Sequence, residues 1–462
     1  MQDPIIKRWC KPNNLIYGVQ PALRLWRQQN DRVYDPIIVS LGPYHHGEPE
    51  LRDAEEDKYR CLDWFAGGDQ ERKTFLHNQI LQKIDVIRSC YADATIVEKY
   101  DDQALAMMML LDACLILYFM GNDTNIAELE KNMSSWLAAF MPHDIMLLEN
   151  QIPYMVLKLL IGLLMEDDRD AKADEIIESF ARSMMGLGPN PAHQIPGEYV
   201  NPPIHILEAF WRVSVENPNR KHEHEHDQSE SRCPRSPTRR NMTCRSVTDL
   251  RAKGIRFGPS SSCSLSDITF DSHAFYGQLR LPLKHLNNQS QTFFCNAIAY
   301  EASPNSTGDT TVLSYVKFMK SLLQSSEDVK ELWKRGILTN ALGDNEQVVE
   351  MFRGIDTFDY SDVFEDVRLR IEEHCRSKAK TWVADVIHSV LRTPWTASAV
   401  IFLICIAFFK IGHKREKTEV QQMHKDRKII CFCNGVMVEE GKRKKWKQRI
   451  DKRKGFSYSF LE

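Results

Sequence analysis

Apolar positions recur at helical spacing over most of this chain, and two stretches stand out because their apolar surface is almost unbroken. The first, Ala104 to Met120, reads ALAMMMLLDACLILYFM, with Asp112 at its centre and acidic flanks. A charge at mid-bilayer costs a few kcal/mol on insertion scales, so this run is expected to be a buried core helix. The second, Thr393 to Phe409, reads TPWTASAVIFLICIAFF, seventeen residues without an ionisable side chain, bounded by Arg392 and Lys410. As a helix it would span about 25 Å, slightly short of a roughly 30 Å hydrocarbon core, and Lys410 can snorkel to make up the difference. Thr393 suits an N-cap and Pro394 the first turn, so the proline starts the helix instead of breaking it. From Trp395 through Phe402 to Phe409 there is no polar face, unlike a core helix, and the pattern predicts a transmembrane span.

Around these two runs the pattern predicts a mainly α protein. Pro36 to Ser40 is apolar, β-branched and extended, and is broken by Gly42, Pro43 and Gly47. Glu55 to Phe65 reads as a helix with Tyr59, Leu62, Trp64 and Phe65 on its buried side. Ile145 to Met165 reads as a second core helix, with Leu157, Leu160, Ile161 and Leu164 at helical spacing and Glu149 and Pro153 interrupting its apolar surface. Asn217 to Ser266 is rich in Ser, Arg, His and Pro and has little periodic apolar content, which predicts a disordered insertion. A strand pair follows at Asp267–Phe270 and Gln278–Leu283, then helices over Val312–Leu323, Val329–Leu332 and Asn345–Phe352, with stops at Gly336 and Gly343. From Ile371 a clean stripe continues through Cys375, Ala379, Trp382, Val383, Val386, Ile387 and Val390 straight into the uncharged span. The expected organisation is a polar arm at 1–13, a helical body at 14–216 and 267–391 divided by the insertion at 217–266, a single transmembrane helix at 393–409 and a basic tail at 410–462. The fold class is thus a large helical domain with a few short strands, followed by a C-terminal transmembrane helix.

Charge sharpens this picture. The whole chain carries a formal −3, but residues 410–462 hold 16 basic and 7 acidic side chains, so the tail is +9 and the rest −12. An acidic body argues against nucleic-acid binding, while the tail suits an anionic membrane surface. Nine of thirteen residues are basic between Lys442 and Lys454: Lys442, Arg443, Lys444, Lys445, Lys447, Arg449, Lys452, Arg453 and Lys454. The expected partners are the lipid bilayer, anionic headgroups against this tail, and a protein whose docking surface the sequence does not place. Twelve cysteines show no regular spacing and no C-x-x-C, which points away from a disulfide framework or a zinc site. The N-terminus lacks a basic start followed by 7–15 apolar residues, so the body is expected to be made in the cytosol. On topology two rules disagree. Basic residues crowd the C-terminal side of the span, which by the positive-inside rule favours an exterior body and makes Asn122, Asn132, Asn241, Asn288 and Asn305 glycosylation candidates. Moving some 390 folded residues across a membrane without a leader is demanding, and scattered cysteines suit a reducing compartment. The expectation is a single-pass protein of the plasma membrane with a cytoplasmic body.

Candidate chemistry is sparse. Tyr44, His45 and His46 lie beside Glu48 and Asp53, but adjacent histidines in an extended segment point to opposite faces and H-E-x-x-H is absent, so a structural turn set by Gly42-Pro43 is expected. On a helix Asp144 and Glu149 would lie about 140° apart and would not converge. Asp144 is expected to cap a helix start, and Asn150 and Gln151 to satisfy buried backbone near Pro153. His222-Glu-His-Glu-His226 sits in the low-complexity stretch and reads as a solvated loop. The phosphate loop, nucleophile elbow and dinucleotide fingerprint are missing. No catalytic, cofactor-binding or metal-binding residue is assigned on this reading; the rival reading is a hydrolase or transferase of unrecognised type using His45, His46 or Glu149.

Three ordered blocks carry a resemblance. The first is Tyr34-Asp-Pro-Ile-Ile-Val-Ser-Leu-Gly-Pro-Tyr-His-His-Gly47, followed by Glu56, Lys58 and Leu62. The second is Met109-Leu-Leu-Asp-Ala-Cys-Leu-Ile-Leu117 with Asp144-Ile-Met-Leu-Leu-Glu-Asn-Gln-Ile-Pro-Tyr154. The third runs from Ser314-Tyr-Val-Lys-Phe-Met319 through Gly336-Ile337 and Leu342-Gly343-Asp344 to Pro394-Trp395 and the apolar run. Together they resemble the plant "domain of unknown function 247" family over roughly residues 14–410. The resemblance implies a plant-specific, mostly helical, membrane-associated protein without an established biochemical activity. Some members are implicated in grass pollen self-incompatibility, which implies a recognition or signalling role.

Overall fold

The buried centre of the fold is the apolar run around Asp112. A computed structural model of the chain describes residues 15–26, 33–122, 133–164, 169–188, 202–216, 245–304, 308–358 and 362–376. All of them fall within one unit, Met1–Asp385. The arm 1–13, residues 217–244 with the histidines at 222–226, the stripe from Ala379 onward, the span 393–409 and the tail 410–462 lie outside the described residues.

In the N-terminal half, Ile16 bridges Tyr91 ahead of α1 (Pro21–Trp26). The helices α2 (Asp53–Ala66), α3 (Gln70–Leu81) and α4 (Ile84–Ser89) pack against α6 (Asp102–Asn122), and α5 (Ala94–Glu98) packs against α4. Asp69 and Asp93 cap α3 and α5 by accepting from the backbone two residues on, and Gly67, at φ 64°, ends α2 in the left-handed conformation glycine tolerates. Helix α6 is long and apolar enough to cross a membrane by length and composition, yet its residues from Leu105 to Met120 are almost all buried within the protein. Burial of each leucine or methionine there contributes roughly 1.5–3 kcal/mol. α7 (Ser135–Asp144), α8 (Tyr154–Leu164), α9 (Arg169–Met184) and α10 (Ile206–Val215) follow, α8 against α6 and α9, and α10 against α9.

The C-terminal half opens with α11 (Val247–Ala252), held by a Ser246–Asp249 capping box. Strands β1 (Ile255–Pro259), β2 (Thr269–Ser272) and β3 (Gly277–Leu281) form a sheet of order β1-β3-β2, parallel for β1 and β3, antiparallel for β2 and β3. β4 (Lys284–Leu286) pairs in parallel with β5 (Leu338–Asn340). Helices α12 (Ser290–Glu301), α13 (Thr311–Leu322), α14 (Ser326–Lys334), α15 (Asn345–Gly354) and α16 (Glu365–Arg376) complete the body, with Gly336 and Gly343 at positive φ as the expected stops.

The course of the chain departs from expectation in several places. Pro36–Ser40 joins no strand ladder, because side chains elsewhere take its backbone N–H groups. Residues 145–153 are not helical and α8 starts only at Tyr154, since Asn150 and Gln151 bind the carbonyls that a helix would have used. The buried side of α2 is Ala54, Asp57, Lys58, Cys61, Leu62 and Ala66, whereas Tyr59 and Trp64 are 52% and 54% exposed. The helix turns that way because Lys58 points at Asp112. Finally, the part of the expected insertion from 245 to 266 is folded, carrying α11 and β1.

Candidate functional site

Two sequence blocks, 33–48 and 144–154, meet through polar side chains that serve backbone. The peptide 36–41 has apolar side chains and no strand partner, so its buried N–H groups need acceptors from outside the segment. Asp144 supplies one carboxylate for three of them: Ile37 N–H donates to Oδ1, and Ile38 and Val39 N–H to Oδ2, each at 2.9 Å. Asp144 is the last residue of α7, not the cap of a helix start as expected. Asn150 accepts from Leu41 N–H at 2.6 Å and donates to the carbonyls of Val39 and Asp144 at 3.0 Å. Gln151 donates to the Ile145 and Leu147 carbonyls at 2.9 and 2.7 Å and accepts from Leu207 N–H at 3.1 Å. Asn296 on α12 joins both blocks, accepting from Leu148 N–H and donating to the Val33 carbonyl.

Beneath this seam lies an ion pair sealed from water. Lys58 Nζ and Asp112 Oδ1 are 2.6 Å apart, each side chain 1% exposed. Lys58 also donates to the Ser40 carbonyl at 2.7 Å and to Glu55 at 2.6 Å, while Asp112 Oδ2 accepts from Gly42 N–H at 2.7 Å. Burial pushes the Asp112 carboxyl up and the Lys58 charge pulls it back; burial lowers Lys58, and Asp112 and Glu55 together overcome it and raise the ammonium above its ordinary value. With two carboxylates around one amine, the ionised pair is the state the geometry favours. Gly42 has φ +75°, and a Cβ there would fall on the Gln151 carbonyl oxygen, so glycine is required on both counts.

The turn that follows places the residues with chemical potential. His45 Nδ1 lies 2.8 Å from Glu48 Oε1, and its Nε2 lies 3.9 Å from Glu149 Oε2. Glu149 also accepts from Val19 N–H at 2.8 Å and is ion-paired with Arg24, which reaches Asp35 at 2.7 Å. Burial, with Glu149 nearby, raises the Tyr44 phenol. His46 turns away, edge-on to Tyr100 at 5.6 Å, and lines a half-open cavity of about 340 Å³ together with Glu48, Arg52, Glu55 and Tyr59. His45 and Glu149 come together, but neither lines that cavity. Pro43 and Pro153 frame the two blocks, and Gly47 is at φ +87°. Among the described residues no group of three or more His, Cys, Asp or Glu is placed to hold a metal.

Arg24 and Asn296 are parts of this arrangement that the pattern of residues did not single out, and Lys58 was named only with the first motif block and given no task. Lys58 carried a signal: it sits at helical spacing with Ala54, Cys61 and Leu62, where a lone charge needs a buried counter-ion, and Asp112 is the one misplaced charge in the apolar run.

A family model described as a plant protein of unknown function, domain of unknown function 247, matches residues 16–409. The UPF0481 protein At3g47200 of Arabidopsis thaliana is 27% identical over 426 residues, covering 82% of this chain and 82% of that protein. A second from the same plant, UPF0481 protein At3g02645, is 24% identical over 424 residues, covering 74% of this chain and 77% of its own. No solved structure matches.

Proposed function

The chain belongs to the plant family named domain of unknown function 247, and from that premise we propose that it is a membrane-anchored, non-enzymatic recognition or signalling protein, of the self-incompatibility type. One observation carries the non-enzymatic part. The carboxylates and amides of the seam are committed to backbone and to one another: Asp144, Asn150 and Gln151 to peptide groups, and Asp112 beneath them to Lys58 and Gly42. Catalytic groups need access to a reacting atom, and these have none to spare. The anchor rests on the uncharged run 393–409, whose last residue is also the last residue of the family match. The basic tail supplies the contact with anionic headgroups, and the body lies on the cytoplasmic side of the plasma membrane.

The full-length protein should resist alkaline carbonate extraction, and truncation after Val390 should release it to the soluble fraction. A truncated body that stays membrane-integral would make α6 a true span and refute the anchor. A glycosidase-sensitive mass shift, lost when Asn122, Asn132, Asn241, Asn288 and Asn305 become glutamine, would place the body outside. The second reading, a hydrolase or transferase, draws on the approach of His45 to Glu48 and Glu149. Alanine at His45, His46 or Glu149 should lower stability or abundance; a mutant of normal abundance and fold without biological activity would favour the enzyme.

A further inference from the structure

Lys284 opens β4 and turns inward with Leu286, while His285 between them is exposed. It is 6% exposed, and its backbone N–H donates to the Ile337 carbonyl at 3.0 Å. Its ammonium has no hydrogen bond or ion pair among the described residues; its neighbours are the rings of Phe293 and Phe294, with centroids at 5.6 and 6.0 Å. This contrasts with Lys58, which is also buried and has two carboxylates and a carbonyl. An unpaired buried ammonium is costly, and here burial draws its pKa down to about 8.

Lys284 lines a cavity of about 140 Å³ between the end of α9 and the first turn of α12, and no Asp or Glu shares that lining. The facing polar groups are His285, Ser183, Asn287, Gln289 and Ser290, with Met146 and Phe293 as apolar wall. The positive end of the twelve-residue α12 lies at the same place. A cation, a helix N-terminus and an acid-free lining make an electropositive pocket, and the missing component is an anion. At 140 Å³ the cavity is well below the size of an ordinary small-molecule site, which excludes a nucleotide and suits one compact oxyanion.

We propose that this cavity is a small-oxyanion site, in which the Lys284 ammonium and the N-terminus of α12 together hold a phosphate or a short carboxylate. The pocket shares only Met146 with the two motif blocks and contains none of their polar groups, so it does not depend on the function proposed above.

The test uses the full-length protein in detergent and follows thermal unfolding with sodium phosphate, sulfate and acetate against chloride at constant ionic strength. Phosphate or acetate should raise the wild-type midpoint progressively with concentration, and whichever acts at lower concentration identifies the class of anion. Lys284→Met should raise the midpoint without added anion, because it removes the unpaired charge, and should weaken anion binding about tenfold or more. Ser290→Asp, which brings a carboxylate to the pocket, should blunt the anion response with Lys284 intact, and serves if the methionine variant does not fold. A wild-type protein indifferent to all three oxyanions, or variants that respond as the wild type does, would overturn the proposal.

Discussion

Replacing Asp144 by alanine removes one carboxylate and strands three consecutive N–H groups. Each bond is 2.9 Å long and made to a group 0% exposed, in a segment with no strand partner to take over. A hydrogen bond to a charged acceptor contributes about 1.5–3 kcal/mol, and an abandoned buried donor costs about 1–3 kcal/mol. The Ile37 and Ile38 donors are only partly buried and can recover some water, so the sum falls to about 3–6 kcal/mol. Against a total stability of about 5–15 kcal/mol, that change brings the body near or below its folding threshold. Asp144→Asn keeps one acceptor oxygen and should lose about half as much. Urea unfolding of the detergent-solubilised chain, followed by tryptophan fluorescence, reads the effect as a lower midpoint at unchanged slope. Glu56→Ala, with a side chain 81% exposed, is the control and should stay within about 0.5 kcal/mol of wild type. An Asp144→Ala protein within about 1 kcal/mol of wild type would refute the claim that this carboxylate holds the segment.

Three further outcomes follow from the same arrangement. Lys58→Met abandons a buried carboxylate and should cost about 3–5 kcal/mol, whereas Asp112→Asn leaves Lys58 with Glu55 and Ser40 and should cost less; a reversed order of melting midpoints would contradict the geometry. Gly42→Ala meets the Gln151 carbonyl at a positive φ and should destabilise by more than the roughly 1 kcal/mol of an ordinary glycine substitution, measured by the same urea titration. His205 caps α10 through Nδ1, and burial draws its pKa down to about 4 from 6.5. The unfolded chain therefore binds its proton first, so stability should fall by about 3 kcal/mol as pH drops from 6.5 toward 4. His205→Asn keeps the cap without the titration and should remove that part of the acid sensitivity.

The legible features were those written in local periodicity. α6 reads as a helix from its composition, and Asp112 marks it as internal; Gly336 follows the end of α14 and Gly343 stands just before the start of α15. What resisted reading were groups whose partners lie far away in the chain. Nothing near Pro36–Ser40 says that its N–H groups go to Asp144, more than a hundred residues on, so the segment looks like a strand. Tyr59 and Trp64 look buried by residue type, and only the partner of Lys58 shows that the helix is rotated the other way. The residues from 145 to 153 look helical because the amides that interrupt them, Asn150 and Gln151, act through hydrogen bonds and leave the apolar pattern unchanged. The motif residues were visible as a set, and so was the task of Asn150 and Gln151 in satisfying backbone, while the reach of Asp144 to the 37–39 peptide groups was not.

Asn296 sets a clock on this protein's synthesis. Its amide reaches the Val33 carbonyl across 263 residues and also accepts from Leu148. At about 5–20 residues per second, the ribosome delivers Asn296 roughly 13–50 s after Val33. Until then the N-terminal half can gather around α6, pair Lys58 with Asp112 and hold residues 37–41 through Asp144 and Asn150, but the start of the first motif block at Val33 still lacks its tether. The seam closes only when α12 arrives.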